Sequence, residues 1–241
     1  MCTLSLIPGP SRLQARMNRD ESPMRGAEAR SISLGSSQGL RHCFPLDPFS
    51  GGTWLGANAA GLLLFLLNGY PEGWEQRRAP RSRGELIPLA LGGRGPSEAA
   101  DLLRAQAADR YGPCRLVLAG LEGPILELRS DGQAWTALEH GRRPLLFVSS
   151  GLDEAAALAA RGPLFEAALA QGEGGLDAFH RSHEPVQGPT SVCMHRGVSR
   201  SVSLSVLEAD RQGVRMRYWP LPPCEIRGSD PLEASLEPDL R

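Results

Sequence analysis

The chain has 241 residues, 41% of them apolar and 22% charged, with a formal net charge of -1. That length can bury a sizeable core in one large or two small domains, and the near-neutral balance excludes a general electrostatic grip on nucleic acid or a membrane surface. All 26 basic residues are arginines, which excludes a Schiff-base lysine and the lysine of a phosphate loop.

The five cysteines, at 2, 43, 114, 193 and 224, are odd in number and contain no C-x-x-C. Neither a disulfide framework nor a structural zinc site is expected, and a reducing, cytoplasmic setting is. The start lacks the basic and long apolar regions of a signal peptide. The apolar run Leu62 to Leu67 falls short of the roughly 20 residues that span a bilayer.

Thr3 to Ile7 reads as a short strand stopped by Pro8-Gly9-Pro10, and Leu13, Ala15 and Met17 alternate with polar residues as in a half-buried returning strand. Residues 22 to 50, rich in Gly, Ser, Pro and Arg, read as a long loop with Phe44 and Phe49 pinning it. Gly51 to Asn58 and Leu62 to Leu67 predict a hairpin that ends on Asn68-Gly69. A short helix is expected over Gly84 to Leu91 and a longer one over Ser97 to Tyr111, capped by Ser97.

Arg115 to Ala119, Ile125 to Arg129, Gln133 to Leu138 and Leu145 to Val148 read as strands. Asp153 to Gln171 reads as two helices broken near Gly162-Pro163. Val192 to His195 and Ser199 to Leu207 are candidate strands, the second forming a hairpin with Val214, Met216 and Tyr218. Residues 1–219 then form one domain and 220–241, rich in Pro and acid, a loosely structured tail. Strand-rich ends around helices predict an α+β layered fold.

Cys2 follows the initiator methionine. Once that methionine is trimmed, Cys2 carries a thiol and a free α-amine. The amine, with a pKa of about 7.7–8.0 against about 8.5 for the thiol, can take the thiol proton. Asn18-Arg19-Asp20-Glu21 arrives near Cys2 if the first two segments pair. The other reading of these residues is an incidental cysteine and an exposed polar turn. No G-x-G-x-x-G after a strand, phosphate loop, G-x-S-x-G or H-E-x-x-H is present. His180, His183, Cys193 and His195 are metal or haem ligands by type, but their spacing matches no specific site and no metal ligand is assigned.

Met1-Cys2-Thr3, Asn18-Arg19-Asp20-Glu21, Gly51-Gly52-Thr53-Trp54-Leu55-Gly56, Leu67-Asn68-Gly69-Tyr70 and Ser82-Arg83-Gly84-Glu85-Leu86 together resemble, in order, the NRDE family of transport and Golgi organisation proteins. The resemblance continues through Phe147 to Leu152 and Ser191 to His195 to Arg200-Ser201.

That family is similar to the N-terminal nucleophile (Ntn) hydrolases of the penicillin V acylase and bile-salt hydrolase kind. The resemblance implies an Ntn-hydrolase-like four-layer αββα sandwich with two antiparallel sheets. It implies an amidohydrolase acting on a linear non-peptide amide or acyl bond of a small molecule. Cys2 would be nucleophile and base, with Asp20 beside its amine. Arg19 or Arg200 would supply positive charge, and Asn68 would donate to the oxyanion. Hydrolysis needs no cofactor. The family's role in haem trafficking and lipid homeostasis implies the alternative of a haem carrier on the same fold.

Overall fold

A computed structural model describes residues 2–22, 24, 29–71 and 79–239. The first half holds strands β1 (Cys2–Pro8), β2 (Arg12–Glu21), β3 (Ile32–Ser37), β4 (Leu40–Pro45), β5 (Leu55–Asn58) and β6 (Leu63–Asn68), then helices α1 (Leu86–Ala90) and α2 (Pro96–Arg104). Strands β7 (Cys114–Ala119), β8 (Ile125–Ser130), β9 (Trp135–His140) and β10 (Leu145–Ser149) follow, then α3 (Glu154–Ala170) and α4 (Gly172–Arg181). The chain closes with β11 (His195–Arg196), β12 (Ser199–Asp210), β13 (Gly213–Trp219) and β14 (Leu232–Leu236).

The described residues make two seven-stranded antiparallel sheets. The first runs β10-β1-β2-β12-β13-β14, with β11 paired to β12; the second runs β3 to β9 in chain order. Leu4, Leu6, Leu13, Ala15 and Met17 of the first sheet meet Leu55, Leu63, Phe65 and Val117 of the second in one buried core. Helices α3 and α4 cover the outer face of the first sheet, and α1 and α2 that of the second. This is the expected αββα sandwich.

The alternation in β2 has a stronger meaning than a half-buried strand. Gln14, Arg16 and Asn18 are buried as well as Leu13, Ala15 and Met17, because β2 is sandwiched between the opposing sheet and the helical layer. Buried polar groups need partners. Arg16 Nε donates to Asp177 at 2.7 Å and Asn18 Nδ2 to the His180 carbonyl at 2.9 Å. On β1, Ser5 Oγ and His180 Nε2 lie 2.7 Å apart.

Several expectations are corrected. The proposed loop from 22 to 50 contains the β3–β4 hairpin, turned at Gln38 and Gly39 with φ of 49° and 83°. Positive φ at both central residues is what a two-residue hairpin turn requires. The pattern was masked because β3 is an edge strand with few apolar residues. Phe44 is buried, whereas Phe49 is exposed. Helix α2 starts from Gly95 with Pro96 in its first turn, not from a Ser97 cap, and ends at Arg104.

Pro163 lies inside an unbroken α3, and the break comes at Gly172, whose φ is 69°. Of Val192 to His195, only His195 pairs, in β11. The supposed tail also folds. Leu232 to Leu236 pairs with β13, burying Ala234 and Leu236 while Glu233 and Ser235 face out. The period of two was present but sat among prolines and acids. Residues 232–236 are thus part of the first sheet.

Glu127 on β8 is fully buried among Arg115 Nε at 2.6 Å, Arg129 Nε at 2.9 Å and His140 Nε2 at 2.9 Å. Burial alone raises its carboxyl, but hydrogen bonds and charge from Arg129, Arg115 and His140 outweigh this and hold it at about 2, against an ordinary 4.5. A carboxyl depressed by folding stabilises the fold above its unfolded value and loses that contribution as pH falls through its folded value. Urea unfolding should therefore show stability declining from pH 4.5 towards pH 2. Glu127→Gln should flatten that decline and cost about 3 kcal/mol at neutral pH.

Candidate active site

Cys2, a residue 7% exposed, opens β1 on the same face as Leu4 and Leu6, so its thiol points between the sheets. Its cross-strand neighbours are Arg19 on β2 and Ser149 on β10. Cys2, Arg19, Asp20 and Asn68 all line one cavity of about 100 Å³, with Thr53, Trp54 and Arg83 on its other walls. The structure thus brings together four of the five residues singled out in the sequence. Burial pushes the Cys2 thiol above its ordinary value and Asp20 adds to the rise, while Arg19 opposes it.

Arg19 lies over the Trp54 ring at 4.3 Å, with Nη2 at 3.3 Å from Glu21 and 3.6 Å from Asp47. The ring and the two carboxylates fix the guanidinium at the cavity wall.

Asp20 has the opposite parity on β2. A β-bulge between Ser201 and Ser203 on β12 sets Ser201 opposite it, and Ser201 Oγ donates to Asp20 Oδ1 at 2.5 Å. Bulges re-aim side chains in this way. Asp20 Oδ2 is buried with no hydrogen-bond partner among the described residues. Burial raises the Asp20 carboxyl, against the pull of Arg161, the Ser201 hydrogen bond and Arg196.

Asn68 ends β6, half-buried, and its Nδ2 donates to the Tyr70 hydroxyl at 3.2 Å. Gly69 and Tyr70, which follow Asn68, line a second, larger cavity of about 670 Å³, together with Arg115, Arg129, Ser150 and Leu152. Two glycines shape the smaller cavity. A Cβ on Gly52 would lie 2.7 Å from the Gly84 carbonyl carbon, and Thr53 N donates to Gly84 O at 3.1 Å. Only glycine lets the Gly51-Gly52-Thr53-Trp54 and Ser82-Arg83-Gly84 segments approach this closely.

Arg200 is the correction. It is exposed, pairs across the sheet with Glu21 and His195, and does not line the cavity. Its neighbour Ser201 takes the inward position. Besides Arg19, a further buried cation, Arg161, acts on Asp20, and the sequence reading missed it. Arg161 Nη1 donates to Thr3 Oγ1 at 2.7 Å and Nε to Thr190 O at 3.2 Å. Burial lowers its pKa, while Asp20 and Cys2 work against that. The available signal was its place on the buried stripe Ala157, Arg161, Phe165 and Ala168 of α3.

His180, on the buried face of α4, is committed to Ser5 and Asn18, and burial holds its pKa well below the ordinary value. Helix α4 ends at Arg181, so His183 leaves the helix and does not share its face.

Known structures of the same fold bear on this geometry. Penicillin V acylase from Agrobacterium tumefaciens is similar with a TM-score of 0.55 at 13% identity, over 98% of this chain and 86% of that one. A mutant of conjugated bile acid hydrolase from Clostridium perfringens matches with a TM-score of 0.57 at 8% identity, over 98% and 92%. An N-acylethanolamine-hydrolyzing acid amidase orthologue from Caenorhabditis elegans matches with a TM-score of 0.55 at 11% identity, over 86% and 92%.

The fold is that of the Ntn hydrolases. Residues 11–152 match the family described as Transport and Golgi organisation 2, and the chain belongs to that family. No curated protein sequence matches it. Among the described residues no helix is long and apolar enough to cross a membrane.

Arg161→Met should destabilise the protein by about 3 kcal/mol in urea titration, because it strips a buried network of its cation. Arg200→Ala should stay within about 0.5 kcal/mol of wild type. Equal effects of the two would refute the assignment of the inward cation to Arg161.

Proposed function

We propose that this protein is an N-terminal cysteine amidohydrolase acting on a linear non-peptide amide or related acyl bond. The observation that carries the reading is the convergence of Cys2, Asp20, Arg19 and Asn68 on one cavity at the start of β1, in a chain with the Ntn-hydrolase fold. The similar proteins are named as an acylase, a bile acid hydrolase and an acid amidase.

In this mechanism the Cys2 amine, once Met1 is removed, takes the thiol proton, and Sγ attacks the carbonyl carbon. Met1 itself lies outside the described residues. The unpartnered Asp20 Oδ2 is the group that would orient the amine. Asn68 Nδ2, turning from the Tyr70 hydroxyl, would donate to the oxyanion. The C–N bond then breaks, the leaving amine takes the proton, and water cleaves the thioester with the Cys2 amine as base, releasing the acid. The cavity of about 670 Å³ beyond Tyr70 is large enough for a small acyl or amine group.

The alternative of a haem carrier draws less support from the residues. His180 is committed to Ser5 and Asn18, and His140 to Glu127. His42 stacks on Phe44, and His183 and His195 are in ring contact at 4.9 Å, leaving no gap for a porphyrin plane. The larger cavity is lined by no His, Cys or Met among the described residues. A Soret shift on titrating haemin into the purified protein would favour the carrier.

Intact mass should show loss of Met1. Incubation with a panel of fluorogenic N-acyl amides should give turnover and a covalent acyl adduct that Cys2→Ala abolishes. Asn68→Ala should lower kcat by about 10²–10³-fold. Retained Met1, or undiminished turnover in Cys2→Ala, would defeat the reading.

A further inference from the structure

His183, Cys193, His195 and Cys224 come from three separate segments and meet outside the cavity just described. His183 follows the end of α4, Cys193 and His195 lead into the β11–β12 turn, and Cys224 sits in a 3-10 turn, Pro223–Glu225. One ligand atom from each lies within 4.8 Å of all the others. Cys193 Sγ is 3.6 Å and Cys224 Sγ 3.5 Å from the same His195 Nε2. With metal–sulfur bonds of about 2.3 Å and metal–nitrogen bonds of about 2.0–2.1 Å, a tetrahedral zinc ion holds its S and N ligands about 3.6 Å apart.

The His183 ring contacts that of His195, and its Nε2 is buried without a hydrogen-bond partner among the described residues. A buried, unpaired imidazole nitrogen is costly unless something binds it. Both cysteines are free thiols.

We propose that His183, Cys193, His195 and Cys224 form a structural site for a tetrahedral d¹⁰ cation of the zinc type. Two sulfurs and two imidazoles suit zinc over magnesium or calcium, and four protein ligands leave no open position for catalysis. The ion staples the end of α4 and the turn after β13 to the β11–β12 segment.

Through that segment it reaches the candidate active site. Met194, between two ligands, donates its N–H to Ser201 Oγ at 2.9 Å and accepts from Ser201 N at 2.8 Å. Ser201 in turn holds Asp20. The site stands without the hydrolase reading, and its readouts are independent of turnover.

The experiment uses untagged full-length protein, purified without chelators under reducing conditions. Elemental analysis should find stoichiometric zinc in wild type and in a Cys43→Ser control, and little in Cys224→Ser or His183→Ala. Exchange with cobalt(II) should give the visible d–d bands of a tetrahedral ion and thiolate charge transfer. Chelation of wild type should lower its Tm. Wild-type protein that is folded by circular dichroism yet holds no zinc and gives no cobalt bands overturns the site. So does an intact mass, in protein purified without reductant, showing Cys193 and Cys224 joined as a disulfide that zinc does not prevent.

Discussion

The constraint on which the structure depends is the two-sided burial of the central strands β1 and β2. One face of each packs into the apolar core between the sheets, through Leu4, Leu6, Leu13, Ala15 and Met17. The other carries Thr3, Ser5, Arg16 and Asn18 into the layer under α3 and α4, where water cannot reach them. Each must be satisfied by protein, and the partners are Arg161, His180 and Asp177. This pins the helical layer to the N-terminal strand more tightly than apolar packing alone, because a slip would strand several buried polar groups at once.

The same constraint builds the candidate site. With β1 locked between β2 and β10, Cys2 is held at the strand's first position, its thiol turned to the inter-sheet cavity and Arg19 directly opposite. Asp20 faces the polar layer, where Ser201 and the charge of Arg161 act on it. The carboxylate and the thiol thus belong to different faces of the sheet and meet only at its end.

Much of this was legible in the residues. The hairpins of β5–β6, β8–β9 with Asp131-Gly132 at its turn, and β12–β13 follow from β-prone runs, alternation and turn residues, and the ordered motifs pointed to the sandwich and to Cys2, Asp20, Arg19 and Asn68. Less legible was the hairpin of β3–β4, an edge pair too poor in apolar residues to show a period. The strand β14 was hidden by its acidic, proline-rich surroundings. Pro163 was over-read, since the helix keeps its course and the flexible backbone of Gly172 makes the break instead.

By itself the sequence determined the class of the fold, the identity of a potential nucleophile and the absence of lysine chemistry, because periodicity, residue type and order are local properties. Tertiary structure alone decided that Arg161 and not Arg200 faces inward beside Arg19. Arg200 lies next to the Asp20 partner yet points to solvent by strand parity and a bulge, while Arg161 arrives from a helix 141 positions further along than Asp20. It also decided that His183, Cys193, His195 and Cys224 share one point in space. No spacing announces such a cluster, because its geometry is set by how three distant segments pack and not by the chain between them.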